Sequence, residues 1–303
     1  MSRRRHPDFI GIGAARSGST WFAKVIAQHP SVWVPHRKEL KYFSREPKYL
    51  SSSYLSEPSI LKRLLTMGRH SKKFRSELMR ATARNLRHWS AEERKWDLKY
   101  YFREANDDWY LDLFSNRPEP VVGEFSPDYA LLDDADAERM VDQLPTTKFI
   151  YIMRDPIDRA WSSIRYHERR TGARLTEMSN KQILEYLSNP SITGRSNFLQ
   201  VVKRWRRLLP EERFLTAFYD DIQLGPELLM KRTCLFLGLD EEPITSMNLN
   251  ARINESFEKE IPCQIRLGLC QYYIQDLNLL ARELGGVTEG WLQRAEETLS
   301  NHT

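Results

Sequence analysis

The sequence predicts an α/β protein with a central, mostly parallel β-sheet flanked by helices. Three observations support this. Short apolar, partly β-branched runs have the length of buried strands, the clearest being Lys148-Phe149-Ile150-Tyr151-Ile152-Met153. Segments of helical periodicity separate these runs along the chain. Strands alternating with helices imply right-handed crossovers, and therefore a parallel sheet covered on both faces.

In chain order, residues 9–12 form the first strand, and Gly13 opens a turn of small residues. Ser19 and Thr20 precede Trp21-Phe22-Ala23-Lys24-Val25-Ile26, which reads as a helix start. His29-Pro30 stops that helix and residues 31–34 form a second short strand. A charged segment follows, Pro35-His36-Arg37-Lys38-Glu39-Leu40-Lys41-Tyr42-Phe43, whose ordinary reading is a solvated loop with an aromatic anchor. Within 61–109, Phe74, Leu78, Leu86, Trp89, Trp96 and Tyr100 are spaced for helices. Arg69, Lys72, Lys73, Arg75, Arg80, Arg84 and Arg87 make that region basic, usually the wet face of a helix and less often the lining of an anionic acceptor's groove.

The stretch from Val121 to Tyr129 is a strand ending in a turn, and residues 135–144 are helical. Arg154-Asp155-Pro156 ends the strand at 148–153, and Pro156 suits the first turn of a helix over 157–171. Further helices fit 181–188, 196–208, 226–237, 264–284 and 288–299, with one more strand at 213–219.

Composition sets the broad class. With 303 residues, 41% hydrophobic and 29% charged, the chain is expected to be globular. No apolar run reaches the roughly 18–20 residues that span a bilayer, and Pro7-Asp8 interrupts the basic start where a leader would turn apolar. The expectation is a cytoplasmic enzyme without a membrane partner. A net charge of +5 is too small to argue for nucleic acid, though it suits an anionic ligand. Three cysteines, Cys234, Cys263 and Cys270, lack metal or disulfide spacing.

The chemistry points to two strand ends. Strand, small-residue loop and helix start together aim free backbone N–H groups at one spot, which is how phosphate or sulfate is bound. The loop nearly spells G-x-x-x-x-G-K-[ST], with Gly13, Gly18 and Thr20 in register but Ser19 in place of the lysine. The loop's own cation is Arg16. The second strand end offers Arg154, with Ser162 and Ser163 in the following helix. Arginine and hydroxyls at both ends suit a ligand with two anionic groups.

Taken together these motifs resemble the sulfotransferases that use 3′-phosphoadenosine 5′-phosphosulfate (PAPS). Arg16-Ser17-Gly18-Ser19-Thr20-Trp21 resembles that family's 5′-phosphosulfate loop, and Arg154 with Ser162 eight residues on resembles its 3′-phosphate segment. Lys38-Glu39-Leu40-Lys41-Tyr42-Phe43 is similar to the segment carrying the acidic base in the heparan-sulfate-type and related bacterial branches, and Gly123 through Tyr129 matches a further element of them. Phe198 through Trp205, Tyr219-Asp220-Asp221, Phe236 through Leu239 and Asn254 follow in family order. Three positions depart from the pattern. Arg16 stands where many members have lysine, Lys41 where a histidine is usual, and Phe125 where heparan-sulfate-type enzymes place a lysine.

The resemblance implies a P-loop-like sulfotransferase fold in a single domain over 1–303, with a helical insertion at about 45–117 on the acceptor side and C-terminal helices at about 263–303. It implies PAPS as donor and adenosine 3′,5′-bisphosphate (PAP) as product, with no metal required. Arg16, Ser17, Gly18, Ser19, Thr20, Trp21, Arg154 and Ser162 would hold the nucleotide. Glu39 would be the general base and Arg16 would stabilise the transition state. His36, Lys38, Lys41 and Phe43 would meet an acceptor hydroxyl or amine on a small natural product or carbohydrate. His36 and His167 are rival bases. The residues alone leave two other readings open. One is an ATP-dependent kinase with an atypical loop, which the missing lysine opposes. The other is a non-catalytic nucleotide or glycan binder.

Overall fold

The computed structural model describes residues 5–49, 53–87, 90–172, 174–251 and 260–302. Trp89 and Asn254, and the side chains of Leu86 and Arg87, lie outside the described residues.

Five parallel strands form one sheet: β1 (Phe9–Gly13), β2 (Val32–Trp33), β3 (Val121–Phe125), β4 (Lys148–Met153) and β5 (Phe214–Phe218), in the order β2-β3-β1-β4-β5. The expected parallel sheet is present, and every predicted strand falls within it. β1 is flanked on both sides and all five of its residues are buried, which explains its unbroken apolar run. Its register with β3 is fixed by size. Phe9 pairs with Gly123 and Gly11 with Phe125, so each ring lies where a Cβ on the opposite glycine would sit within 2.5 Å of it.

Helices cover both faces. α1 (Ser19–Ile26) follows β1. The insertion supplies α2 (Ile60–Leu65), α3 (Arg69–Arg87), α4 (Ala91–Phe102) and α5 (Asp107–Asp112). α6 (Asp134–Gln143) precedes β4, and α7 (Pro156–Thr171), α8 (Asn180–Leu187), α9 (Pro190–Thr193) and α10 (Phe198–Leu208) lead to β5. The chain then runs through α11 (Tyr219–Leu224), α12 (Pro226–Leu237), α13 (Cys263–Leu284) and α14 (Val287–Ser300). Alternation along β4 separates the two cores. Ile150 and Ile152 pack with α1 and α12, while Phe149, Tyr151 and Met153 face α10, α13 and α14. The insertion joins the second core through aromatic residues, including Tyr54, Phe74, Trp96, Tyr100 and Tyr110. Among the described residues no helix is long and apolar enough to cross a membrane.

Asp155 shows what the start of α7 demands. Its carboxylate caps the helix by accepting from Ile157 N–H at 2.9 Å and pairs with Arg294 of α14 at 3.2 Å. Burial, reinforced by Asp158, pushes its pKa up to about 6 from an ordinary 3.8. The folded state therefore holds this proton more tightly than the unfolded chain. The resulting stability is complete below about pH 4 and is lost as pH rises through about 6. Asp155→Asn keeps a neutral cap acceptor, so its melting temperature relative to the parent should climb between pH 4 and pH 7. Parallel melting curves across that range would show that the shift is absent.

Candidate active site

The strand order creates the site. After β1 the chain leaves towards β2 on one side, and after β4 it leaves towards β5 on the other. The carboxyl ends of the neighbouring strands β1 and β4 thus open a crevice where the connections diverge. Arg16 and Arg154 lie beyond those two ends.

The β1–α1 loop turns sharply. Ala14 N–H donates to the Ile152 carbonyl at 2.7 Å, tying the loop to β4. Arg16 has φ 70° and Gly18 has φ 87°, so the chain enters α1 from the left-handed region with no side-chain cap on the helix. A Cβ on Gly18 would also stand 2.4 Å from Ile222. Both motifs meet here. Arg16 Nε and Nη2 each donate to Ser162 Oγ at 3.3 Å, across 146 positions of sequence, and the guanidinium lies over the Tyr166 ring. Arg154 Nη1 donates to the Arg16 carbonyl at 3.5 Å, with its guanidinium 4.2 Å from the centre of the Tyr219 ring. Burial, with Arg169 and Arg154 close by, lowers the Arg16 pKa. Two polar atoms in this cluster, Ser17 Oγ and Arg154 Nε, are buried without a hydrogen-bond partner among the described residues. Unmet donors amid this much positive charge are what an anionic ligand would satisfy.

The cation facing the loop hydroxyls is Lys38. Its Nζ donates to Thr20 Oγ1 at 2.6 Å and reaches Ser19 Oγ at 3.4 Å. Burial lowers its pKa, with Glu39 opposing the shift and Arg16 and Lys24 adding to it. Serine at position 19 therefore does not leave the loop without an ammonium group. The segment after β2 delivers one through space.

Glu39 follows directly, 39% exposed, its Oε2 3.4 Å from Lys41 Nζ. Lys41 also bridges to Asp128 at 2.7 Å, and Arg195 reaches the same carboxylate at 3.4 Å. Burial works against the Lys41 ammonium, but Asp128 and Glu39 outweigh it and raise its pKa. Glu39 and Lys41 both have left-handed backbones, φ 65° and 56°, and three hydrogen bonds hold them there. Glu39 N–H donates to the Phe125 carbonyl at 3.0 Å, Lys41 N–H to Ser126 Oγ at 3.1 Å, and Tyr42 N–H to the Tyr129 hydroxyl at 2.9 Å. Ser126 and Tyr129 in turn donate to buried Glu124, as does Tyr110. Burial pushes the Glu124 carboxyl up, against the pull of these donors.

The other candidate residues are placed differently. Trp21 is 7% exposed, packed in the α1-side core, and donates to the Leu249 carbonyl at 3.2 Å. Phe43 is 2% exposed among Tyr42, Tyr110 and Tyr129, so it anchors the Glu39 segment from below and has almost no surface to offer an acceptor. His36 Nε2 is 3.0 Å from Asp97, and its ring packs edge-on against Trp96. His167 lies near the far end of α7 against Tyr186. Phe125 packs on Phe9 and Phe22 in the core. Local sequence reasoning missed Tyr219 beneath Arg154, Tyr166 beneath Arg16 and the Glu124 hub, because each acts across a long-range contact. The aromatic residue opening α11 and the acid in a buried strand were the available signals.

Comparison with known proteins agrees with this fold. The model of the Sulfotransferase family matches residues 7–243. A sulfotransferase from Alicyclobacillus acidocaldarius superposes with a TM-score of 0.61 at 20% identity, covering 96% of this chain and 99% of that one. A sulfotransferase domain from the curacin biosynthetic pathway gives a TM-score of 0.51 at 21% identity, covering 79% of this chain and 77% of that one. At these identities the likeness establishes the fold. No curated protein matches the chain.

Proposed function

The chain belongs to the sulfotransferase family, and from that premise we propose that it moves a sulfuryl group from PAPS to an acceptor hydroxyl or amine, with Glu39 as general base. The observation that carries this reading is the Arg16–Ser162 contact, which brings the two strand-end motifs together. The orphaned Ser17 Oγ and Arg154 Nε supply further donors there.

The residues divide the work as follows. Arg154 and Ser162 would hold the 3′-phosphate, and the 14–20 loop with Lys38 would hold the 5′-phosphosulfate. Glu39 takes the acceptor's proton as the acceptor oxygen or nitrogen bonds to sulfur. The bond between sulfur and the bridging oxygen breaks, and the electron pair leaves with the phosphate of PAP. Lys38, Arg16 and the loop N–H groups stabilise the charge that builds on that oxygen. Fixed donors contribute most in a partly desolvated site, and Lys38 and Arg16 are both half-buried.

Calorimetry with PAP and with adenosine 5′-monophosphate tests the donor site. The native protein should bind PAP more tightly, and Arg154→Ala should erase most of that difference. A lost charge-assisted hydrogen bond of about 1.5–3 kcal/mol corresponds to roughly 10- to 100-fold in affinity. Equal affinity for the two nucleotides in the native protein would sink the 3′-phosphate assignment. Transfer of radiolabelled sulfate from PAPS to a broad acceptor panel separates an enzyme from a binder without turnover.

A further inference from the structure

Among the described residues four non-glycine residues have left-handed backbones, and three of them, Arg16, Glu39 and Lys41, stand at the candidate site. That conformation is unfavourable for a residue with a Cβ and persists only where its surroundings hold it. For Glu39 and Lys41 the surroundings are the end of β3 and the turn after it. Glu39 N–H donates to the Phe125 carbonyl, Lys41 N–H to Ser126 Oγ and Tyr42 N–H to the Tyr129 hydroxyl. Left-handed residues at alternate positions turn neighbouring N–H groups to one side, and such a concavity ordinarily holds an anion.

Here the anion belongs to the chain itself. Glu124 lies behind the concavity, 1% exposed. Its Oε2 accepts from Ser126 at 2.7 Å, and its Oε1 accepts from Tyr110 at 2.7 Å and from Tyr129 at 3.1 Å. Leu40 N–H also pulls on the carboxylate. Its partners among the described residues are thus hydroxyls and a backbone N–H, with no cation. Proton directions follow from the donor inventory. A backbone N–H can only donate, so Ser126 and Tyr129 each receive one and have a single proton left to give. Both give it to Glu124, so both carboxylate oxygens must accept. Glu124 therefore fixes which way two hydroxyls point, and those hydroxyls fix the backbone on which Glu39 stands.

We propose that Glu124 is a positioning residue for the Glu39 base, acting through Ser126 and Tyr129 to hold residues 39–42 in the strained conformation that aims the Glu39 carboxylate. This inference rests on the reading of Glu39 as general base. Glu124→Gln keeps the shape but puts an NH2 donor in place of one acceptor oxygen. Whichever way the amide turns, it meets a hydroxyl that is already donating. That hydroxyl must reverse, and Lys41 or Tyr42 N–H then loses its acceptor.

The test is a double-variant cycle on single-turnover cleavage of labelled PAPS, with 4-nitrophenol and water offered as acceptors. Glu124→Gln should lower the rate by about 10- to 100-fold, the scale of misplacing a reacting group by an ångström, with PAP affinity unchanged. Added to Glu39→Gln, the same change should cost less than about twofold, because a residue that acts through the base has nothing left to position. Hydrogen exchange at residues 39–42 should quicken about tenfold or more in Glu124→Gln while β1 and β4 keep their protection. Tyr129→Phe deletes one hydroxyl from a buried ring without changing its packing, so it serves as the milder second variant and should show the same non-additivity. An equal fall in rate with and without Glu39, or the parent rate in both Glu124→Gln and Tyr129→Phe, overturns the positioning role and leaves Glu39 as the base. Cleavage at the parent rate in Glu39→Gln alone would overturn the base assignment instead.

Discussion

Glu39→Gln is expected to lower the rate of sulfuryl transfer by about 10²–10⁴ while leaving PAP affinity unchanged. The substitution keeps the shape of the side chain and removes its basicity. It also keeps the hydrogen bonds that set the loop, because those run through the backbone of residues 39, 41 and 42 to the Phe125 carbonyl, Ser126 and Tyr129. The side chain loses only its 3.4 Å contact with Lys41, which stays anchored on Asp128. A structural cause is thereby separated from a chemical one. Single-turnover measurement with labelled PAPS reads the chemical step directly. A variant that transfers sulfate at the parent rate would remove Glu39 from the mechanism, and His36, committed to Asp97, would not be an obvious replacement.

Lys38→Met should lower turnover by about 10²–10³, the usual consequence of removing a donor aimed at developing charge. Methionine preserves most of the length and the apolar contact of the stem and deletes the ammonium that reaches Thr20 and Ser19. Because Lys38 also lines the cavity beside α3, the kinetic split is informative. A fall in kcat places the ammonium on the departing phosphate or the transferred sulfuryl group. A rise in acceptor KM with kcat unchanged would confine it to acceptor binding and leave Arg16 as the transition-state cation.

The local architecture of the candidate site was legible in the residues themselves. A buried five-residue strand, a Gly-Ser loop and a hydroxyl-rich helix start are short-range signals, and Phe9 through Ile26 folded as they indicate. The same holds for β4, the turn at Arg154-Asp155-Pro156 and the helix carrying Ser162. The sequence also marked the Lys38–Lys41 segment as charged and anchored by aromatics. It did not distinguish a substrate-facing aromatic from a buried one, and Phe43 and Trp21 belong to the buried kind because each is packed into one of the two cores. The missing loop lysine argued against a nucleotide hydrolase. It carried no information on where the replacement cation would come from, since Lys38 meets Thr20 only after β2 has been laid down beyond β3.

Periodicity and turn chemistry, both local, thus determined the parallel α/β class, the strands, most of the longer helices and the two strand-end loops. Only the tertiary structure decided what those loops share. The strand order sets β1 beside β4 and brings Arg16 to Ser162, buries Glu124 beneath the Glu39 segment, and lays the α3 arginines beside Lys38. Each of these depends on which distant segments become neighbours when the chain buries its apolar faces, and no window of sequence contains that information.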